Sequence, residues 1–320
     1  MKTTEIAIVG VGVMGAAAGR ALARRGHNVV MLEQFEVGHE RGSSHGTSRY
    51  RQLAAYPTVE YLELGIRTKA LWDELERESD RSFLHRTGNV SIGAPSMLQR
   101  QADALRVHEI DCELALGGEL RERWPQLDLP QDEPALYQPD GEVIAADLAL
   151  GTFVASAIAA GAELREHSRV TGLDQRSDHV VVTTDDDEIA ADRVIITAGP
   201  WVKQAARGVG IELPVTVSRQ TVTYFALTDF VPPTITDYGG TEPYALWDPA
   251  RGLKAAEHER GPHADPDEHG VADDASVTRV TEWVRRLFPT ATREPHRVET
   301  CIYTNAPRDE MIIDRYEGIV

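Results

Sequence analysis

The sequence predicts an α/β fold in which a βαβ unit opens one domain and a second, mostly antiparallel domain is inserted into it. Three observations support this prediction. An apolar run, a glycine-rich turn and a helix-like segment follow one another in residues 5–26. Helix-like and strand-like segments return in residues 145–197, whereas residues 214–306 alternate polar and apolar side chains over several stretches. These periods indicate one layered α/β unit and one sheet-rich unit.

Length and charge limit the classes of protein and partner. A chain of 320 residues accommodates two domains of roughly 100 to 200 residues each. The net charge of −18 disfavours nucleic acid and anionic membranes, because both favour clustered Lys and Arg. The sequence has no apolar run of about 18 residues and no signal-peptide pattern after Met1. We therefore expect a cytoplasmic protein.

The N-terminal βαβ unit is the first element along the chain. Residues 5–10 predict a strand, residues 16–25 a helix that ends at Gly26, and residues 28–32 a second strand. The glycine-rich turn, residues 10–15, lies between the first strand and the helix. This order is typical of a dinucleotide-binding unit.

Three glycines and one acid in this unit predict a dinucleotide site. Gly10 permits the tight turn, Gly12 lets the backbone approach a pyrophosphate, and Gly15 allows the helix to pack closely on the strand. Met14 lies in the same turn, at a helix N-terminus that attracts negative charge. Glu33 follows the second strand and is placed to bind ribose hydroxyls. The motif alone does not distinguish FAD from NAD, and a turn that serves only packing is the alternative.

Later segments show helical or strand periodicity and follow turn signals. We predict helices at residues 60–76, 145–160 and 277–288, and strands at residues 88–92, 180–183, 193–197 and 221–225. Composition changes near residue 85. We therefore assign residues 1–85, 141–212 and 309–320 to the nucleotide-binding domain, and residues 86–140 and 213–308 to the substrate domain.

Two further segments carry a resemblance to a known family. The polar loop GSSHGTSR occupies residues 42–49, and an apolar strand ending in AGPW occupies residues 195–201. They match, in order and spacing, the SxHGxxR loop and the AGxW strand of the monomeric sarcosine oxidase and N-methyltryptophan oxidase family. The chain resembles that family. The resemblance implies an FAD-binding, Rossmann-like domain with an inserted substrate domain.

The same resemblance implies which residues contact FAD. In the family, the loop lies by the isoalloxazine and the strand lies near the adenine. The flavin side then comprises Ser44, His45, Ser48 and Arg49, and the adenine side comprises Val170, Ala198, Gly199 and Trp201. From the residues alone, the alternative for His45 and Arg49 is an ordinary polar loop.

The segment CIYT, residues 301–304, matches the family segment in which a cysteine thiolate bonds to the flavin 8α-methyl group. The resemblance implies covalent FAD through Cys301 and a substrate contact from Tyr303. Without this context, a lone cysteine is more often an inert, buried side chain. Cys112 lacks such a context, and we expect it in the core or at the surface.

The segment GLK, residues 252–254, matches a position at which the family has a lysine over the flavin face. The resemblance implies that the Lys254 cation stabilises superoxide, and that His258 and Arg49 border the reacting groups. Lys254 is also one of only four lysines in the chain. Tyr244 corresponds less securely to a substrate-pocket aromatic, since its spacing to Lys254 is one residue short, and a packing role is the alternative.

No metal site is expected. The histidines and acids of residues 257–274, which include Glu259, His263 and His269, lie in a segment rich in Gly and Pro without a fixed ligand frame. A solvated loop is the predicted structure.

The chain departs from the family pattern at two places. A second family arginine, three residues after Arg49, grips the substrate carboxylate, whereas this chain has Gln52 there. Arg51 would need a rotated backbone to replace that arginine. Family members also continue beyond the segment at residues 309–314, into a strand and a turn that cover the flavin pyrimidine. Because the sequence stops at Val320, we expect a fragment or a truncated protein, with residues 318–320 starting that strand.

The activity implied by the resemblance is oxidation of the C–N bond of a small secondary amine or N-methyl amino acid. Oxygen is the implied acceptor, and the products are an imine, then an aldehyde and an amine, together with hydrogen peroxide. Two alternatives stay open. One is a flavin amino-acid dehydrogenase with another acceptor, which Lys254 argues against. The other is an inactive flavin-binding protein, which Gln52 and the end of the sequence favour.

Overall fold

A computed structural model of the chain describes residues 2–54, 59–228, 230–258 and 261–320, so Glu259 lies outside the described residues. The strands within these ranges are β1 (Lys2–Val9), β2 (Val29–Leu32), β3 (Arg49–Arg51), β4 (Leu84–Arg86), β5 (Asn89–Ile92), β6 (Glu113–Leu116), β7 (Pro134–Gln138), β8 (Glu142–Ile144), β9 (Glu163–Arg165), β10 (Val170–Gln175), β11 (Val180–Thr184), β12 (Glu188–Ile196), β13 (Thr216–Phe225), β14 (Thr234–Asp237), β15 (Pro243–Asp248), β16 (Gly252–Glu257) and β17 (Arg297–Asn305). The helices are α1 (Val13–Ala23), α2 (Val59–Ser79), α3 (Pro95–Val107), α4 (Gly117–Arg123), α5 (Ala146–Ala159), α6 (Val202–Arg207) and α7 (Asp274–Leu287), with 3₁₀ turns at Gly199–Trp201 and Pro307–Asp309.

A six-stranded sheet in the order β10-β11-β12-β1-β2-β9 contains the βαβ unit. β1 pairs in parallel with β12 and β2, and β9 extends the parallel part beyond β2. Ala7, Ile8 and Met31 are fully buried, as expected for parallel strands that are covered on both faces. α1 and α5 pack on this sheet. The predicted α/β class and βαβ unit are confirmed.

α1 begins at Val13, three residues before the predicted start. The Ser44 hydroxyl accepts the Val13 N–H at 3.0 Å and so satisfies one of the unpaired donors of the first helical turn. This partner comes from 31 residues along the chain, where no local start signal reveals it. β12 likewise begins five residues earlier than predicted, because its first half pairs with β11.

An eight-stranded sheet in the order β17-β13-β16-β15-β14-β5-β7-β6 forms the second layer. Its pairs are antiparallel except for β5 with β14. α7 covers one face, where Val280, Val284 and Phe288 pack with Phe225 and Leu253. The mostly antiparallel second unit is therefore confirmed, and its other face is available for a site.

A small sheet in the order β3-β8-β4 and the C-terminal residues complete the described architecture. Ile319 is buried and pairs in parallel with Val194 of β12. The strands of the six-stranded sheet and, apart from Arg86 at the end of β4, those of the three-stranded sheet fall in the ranges assigned to the nucleotide-binding domain. Those of the eight-stranded sheet fall in the ranges assigned to the substrate domain. We propose that the two domains divide as these sheets do.

The described residues were also compared with the expectations for a membrane span, a metal site and Cys112. Within the described ranges, no helix is both long and apolar enough to cross a membrane. No group of three or more His, Cys, Asp or Glu side chains in the same ranges is arranged to hold a metal ion. Cys112 is half-buried beside Leu98 and Ala102, and burial raises the pKa of its thiol.

Gly15→Ala is expected to lower the free energy of unfolding by about 1 to 3 kcal/mol, the usual cost of overpacking. A Cβ atom at Gly15 would lie 2.0 Å from the Gly10 carbonyl oxygen and 2.7 Å from Thr197 Oγ1. Gly151→Ala in α5 is the matched control, since nothing lies within 4 Å of its added Cβ. It is expected to stabilise by about 0.4 to 1 kcal/mol. Urea unfolding followed by circular dichroism measures both changes, and equal effects would contradict this packing.

Candidate active site

One face of the eight-stranded sheet forms the wall of a cavity of about 140 Å³. Directly paired residues project to the same face of a sheet, and the register pairs Lys254 with both Tyr224 and Leu246. It also pairs Gln220 with Cys301. The face presents mostly polar and aromatic side chains toward the cavity, together with two aliphatic ones: Gln220, Val222, Tyr224, Tyr244, Leu246, Lys254, Glu299, Cys301 and Tyr303.

The cavity is closed by the loop at residues 43–49, which we call the clamp loop. Ser43 Oγ donates to the Ile302 carbonyl at 2.6 Å, and Ser44 binds the start of α1. At its other end, Ser48 Oγ donates to Asp248 Oδ2 at 2.6 Å. The clamp loop therefore connects the glycine-rich turn with two strands of the larger sheet.

Arg49 holds the clamp loop in this shape. Its guanidinium donates to the carbonyl oxygens of Ser43, His45 and Ser48 at 2.7 to 2.8 Å. One guanidinium nitrogen also lies 3.9 Å from Cys301 Sγ.

Lys254 is the most deeply buried cation of the cavity, with 6% of its surface exposed. Its ammonium group donates to the Ser48 carbonyl oxygen at 3.0 Å. Burial, followed by repulsion from Arg49, lowers the pKa of Lys254 to about 7, although negative charge at Cys301, Asp248 and Glu299 opposes this change. The lysine therefore changes charge near neutral pH.

His45 presents an unsatisfied polar atom to the same region. Its Nε2 is buried and has no hydrogen-bond partner among the described residues. Burial, together with the charges of Arg49 and Lys254, lowers the pKa of His45 to about 4. The imidazole is neutral at pH 7, and a bound group that approaches Nε2 would satisfy it.

Aromatic side chains form the rest of the cavity wall. Tyr244 and Tyr50 lie with ring centroids 5.7 Å apart, as do Tyr303 and His258. Burial is the main cause that raises the phenol pKa of Tyr50, Tyr244 and Tyr303, so all three stay protonated as hydrogen-bond donors. Tyr244 faces the cavity because it pairs with Ala256 on the wall. Tyr244 therefore lines the cavity although its spacing to Lys254 is one residue shorter than in the family.

The glycine-rich turn lies at the other end of the clamp loop. Gly10 has a φ of +93°, and a Cβ there would lie 2.7 Å from the Thr197 carbonyl oxygen. Glu33 is buried and accepts the N–H groups of Val11 and Phe35 at 2.9 and 3.1 Å. His39 and these two N–H groups outweigh burial and lower the pKa of Glu33, which therefore stays ionised.

The residues assigned to the adenine side lie near this turn. Val170 and Ala198 pack against one apolar cluster of the six-stranded sheet, and Ala198 also abuts Gly10. Gly199 opens the short 3₁₀ turn, and the Trp201 ring lies 5.8 Å from that of Phe35. Met14 is exposed at the start of α1. The predicted residues thus form two groups, one around the glycine-rich turn and one around the cavity. The clamp loop contacts both groups.

Arg51 and Gln52 are held away from a carboxylate-binding role. Arg51 is buried in an ion pair with Glu142, to which its Nε donates at 3.2 Å. Gln52 is also buried, and its amide nitrogen lies 3.3 Å from Thr236 Oγ1. Neither side chain lines the cavity.

The chain is similar to known proteins over nearly its whole length. Residues 5–320 match the family described as FAD dependent oxidoreductase. The chain belongs to the FAD dependent oxidoreductase family. It is 28% identical to a monomeric sarcosine oxidase of Bacillus sp. (strain B-0618), covering 97% of this chain and 83% of that protein. It is 27% identical to an N-methyl-L-tryptophan oxidase of Yersinia pestis (strain Pestoides F), with 97% and 85% covered.

Solved structures of this oxidoreductase family share the fold. One is NikD, described as an unusual amino acid oxidase essential for nikkomycin biosynthesis. It has a TM-score of 0.86 and 25% sequence identity, and the match covers 97% of this chain and 84% of that one. The predicted resemblance to sarcosine and N-methyltryptophan oxidases is therefore confirmed.

The described residues fit the FAD of this oxidoreductase family in three respects. Gly12 presents bare backbone at the helix start, where an added Cβ would lie 2.9 Å from Ser44 Oγ. Glu33 Oε2, which accepts the Val11 N–H, keeps a second lone pair for a ribose hydroxyl. His45 Nε2 supplies an unpaired polar atom at the cavity. These groups could hold the two ends of the cofactor.

The sequence analysis missed several residues of the cavity. Once Cys301 is assigned to the site, the period of two along β17 places Glu299 on the same face. The same period along β13 groups Gln220 with Tyr224. Asp248 gives no local signal, because its partners in the clamp loop are about two hundred residues away in sequence.

The Lys254 ammonium is expected to make stability depend on pH. Its folded pKa of about 7 lies below the value of about 10.4 in an unfolded chain, so the unfolded state binds more protons between these values. Relative to Lys254→Met, the wild type should therefore gain stability as pH rises from 7 to 10, by on the order of 4 kcal/mol. Urea unfolding of both proteins across this range measures the gain, and a constant difference would refute the depressed pKa.

Proposed function

We propose that the protein oxidises the C–N bond of a small secondary amine or N-methyl amino acid, with FAD as cofactor and oxygen as acceptor. One observation carries the proposal. A buried lysine, a cysteine beside an arginine and four tyrosines share one small cavity that is closed by the clamp loop. The similarity to sarcosine and N-methyl-L-tryptophan oxidases supports this choice of reaction.

When bound, FAD would supply the redox chemistry, namely acceptance of a hydride equivalent from the carbon next to nitrogen and transfer of the electrons to oxygen. The glycine-rich turn and Glu33 are proposed to bind its pyrophosphate and ribose. The clamp loop, with His45 and Arg49, is proposed to lie against the ring. Cys301, which lies beside the Arg49 guanidinium, is proposed to hold the flavin as a covalent thioether. The new S–C bond would replace the thiol S–H and one C–H bond of the 8α-methyl group, and the electron pair would pass through the flavin to oxygen.

Lys254 is proposed to act on oxygen. Transfer of the first electron to oxygen creates superoxide, and a cation already in place stabilises that new negative charge. The low exposure of Lys254 excludes water, which strengthens this interaction. A lysine with a pKa near 7 can carry the charge at neutral pH.

Tyr244, Tyr303 and His258 are proposed to border the substrate amine. The phenols stay protonated and can donate hydrogen bonds within the cavity. Arg51 pairs with Glu142 and Gln52 contacts Thr236, so neither side chain is placed to bind a substrate carboxylate. The substrate test should therefore include amines with and without a carboxylate.

Release of hydrogen peroxide tests the proposed function directly. The protein is mixed with sarcosine, N-methyltryptophan and matched N-methyl amines, and peroxide is measured together with reduction of an artificial acceptor dye. Peroxide formation supports an oxidase. Dye reduction without peroxide indicates a dehydrogenase, and neither signal with any amine indicates an inactive flavin-binding protein.

Lys254→Met is expected to slow the oxygen half-reaction by about 10² to 10³ while reduction by substrate stays largely intact, since the cation acts on the charge of superoxide. Lys203→Met is the matched control, because Lys203 also donates to a backbone carbonyl, that of Val215, but in α6. Stopped-flow absorbance separates the two half-reactions. Unchanged oxygen rates in Lys254→Met would remove the role assigned to this lysine.

Cys301→Ala is expected to release FAD that the wild type retains covalently. After acid precipitation, the wild-type polypeptide should stay yellow, and that of Cys301→Ala should be colourless with FAD in the supernatant. Cys112→Ala is the control and should behave as the wild type, since Cys112 lies in a different apolar cluster. Free FAD from the wild type would disprove the covalent bond.

A further inference from the structure

Asp248 is a buried carboxylate at the tip of the β15–β16 hairpin, with 1% of its surface exposed. Its Oδ2 accepts the hydroxyl groups of Thr47 and, at 2.6 Å, Ser48. Its Oδ1 accepts the N–H groups of Ala250 and Arg251, both at 2.9 Å. One carboxylate thus fixes both the clamp loop and the turn that leads into β16.

Ser48 connects this carboxylate to the cavity lysine. Its hydroxyl donates to Asp248, and its carbonyl accepts the Lys254 ammonium at 3.0 Å. The turn ordered by Asp248 is followed at once by Gly252, which has a φ of +92° and packs against the Phe225 carbonyl. The backbone and the side-chain end of Lys254 are therefore both tied to Asp248.

Other charged or titratable groups face Lys254 from the elements packed around it. Arg49 and His45 approach from the clamp loop, Glu299 and Cys301 from β17, and Asp147 from α5. Glu299 is shared with two guanidinium groups, since Arg251 binds it at 2.7 to 2.8 Å and Arg297 also contacts it.

Asp248 differs from Glu299 in the nature of its partners. The four donors that bind it are neutral hydroxyl and N–H groups, so its charge is not cancelled by a partner charge. In a site of low dielectric, such a carboxylate favours a nearby ammonium.

We propose that Asp248 is a positioning residue that fixes the Lys254 ammonium against the clamp loop through Ser48 and supplies part of the negative charge that favours the protonated form of this lysine. The link between Asp248 and oxygen reduction rests on the proposed function. The link between Asp248 and the charge of Lys254 does not depend on it.

NMR of protein labelled with ¹³C at lysine Cε tests the charge relation, because the chain contains four lysines and therefore gives four resonances. The Lys254 resonance, identified by its loss in Lys254→Met, should titrate near pH 7 in the wild type and at lower pH in Asp248→Asn. Asp237→Asn is the matched control. Asp237 also accepts a backbone N–H in a turn, that of Gly239. Its side chain, however, binds Trp283 of α7, on the face of the sheet opposite the cavity. An unchanged midpoint in Asp248→Asn would overturn the proposal.

Ser48→Ala provides a second variant in case Asp248→Asn does not fold. It removes one of the two hydroxyls that join Asp248 to the clamp loop, that of the residue whose carbonyl binds Lys254, and leaves the carboxylate in place. A downward shift of the Lys254 midpoint supports transmission through Ser48, and an unchanged midpoint contradicts it.

The pH profile of the oxygen half-reaction distinguishes a charge effect from simple misplacement. Wild type and Asp248→Asn should react at similar rates at pH values below both Lys254 midpoints, and Asp248→Asn should fall behind as pH rises through them. Slowing by one factor at every pH would show that the charge of Asp248 has no such role. If no amine is oxidised by the wild type, the proposed function fails, whereas the NMR titration still decides the relation between Asp248 and Lys254.

Discussion

The Arg49 guanidinium binds three carbonyl oxygens of the clamp loop, and the arrangement of the whole site depends on this contact. Residues 43–48 of the clamp loop lie in no strand or helix, so their buried carbonyl groups must find donors elsewhere. One planar group with several fixed N–H donors satisfies them together. With its backbone held, the loop can present Ser44 to α1 at one end and Ser48 to the larger sheet at the other. A lysine at residue 49 could not reproduce this geometry.

The Lys254 side chain lies in the cavity, where burial disfavours its charged form. Taking an ammonium out of water is unfavourable, and the neighbouring Arg49 adds repulsion. The Ser48 carbonyl and the surrounding carboxylates offset part of that cost, which leaves Lys254 close to its titration midpoint at neutral pH. Stability and reactivity are thus set by the same balance. A fully solvated lysine would hold its charge easily but would interact weakly with a charge that develops beside it.

The local parts of the structure were predictable from sequence, and the long-range parts were not. The βαβ unit follows from periodicity within residues 5–32, and motif order identified His45, Lys254 and Cys301 as candidates before any geometry was known. The start of α1 was missed because its capping Ser44 comes from another segment. α3 was not predicted either, although Leu98, Ala102 and Leu105 have helical spacing. Asp248 depends on strand register and on a loop far away in sequence, which no local window contains.

The pairing of β1 with both β2 and β12 has a consequence for folding during synthesis. β2 follows β1 within the same βαβ unit, whereas β12 emerges roughly 180 residues later. Pairing of β1 with β12 must close this long stretch of chain into a loop, and the entropy cost of closing it slows folding. Gly10 packs on Thr197 and Ala198, which follow β12 directly. The glycine-rich turn therefore cannot reach its final shape on the ribosome until most of the chain has left the exit tunnel. Until then, β1 exposes an unpaired apolar edge, which makes the nascent chain a candidate for chaperone binding.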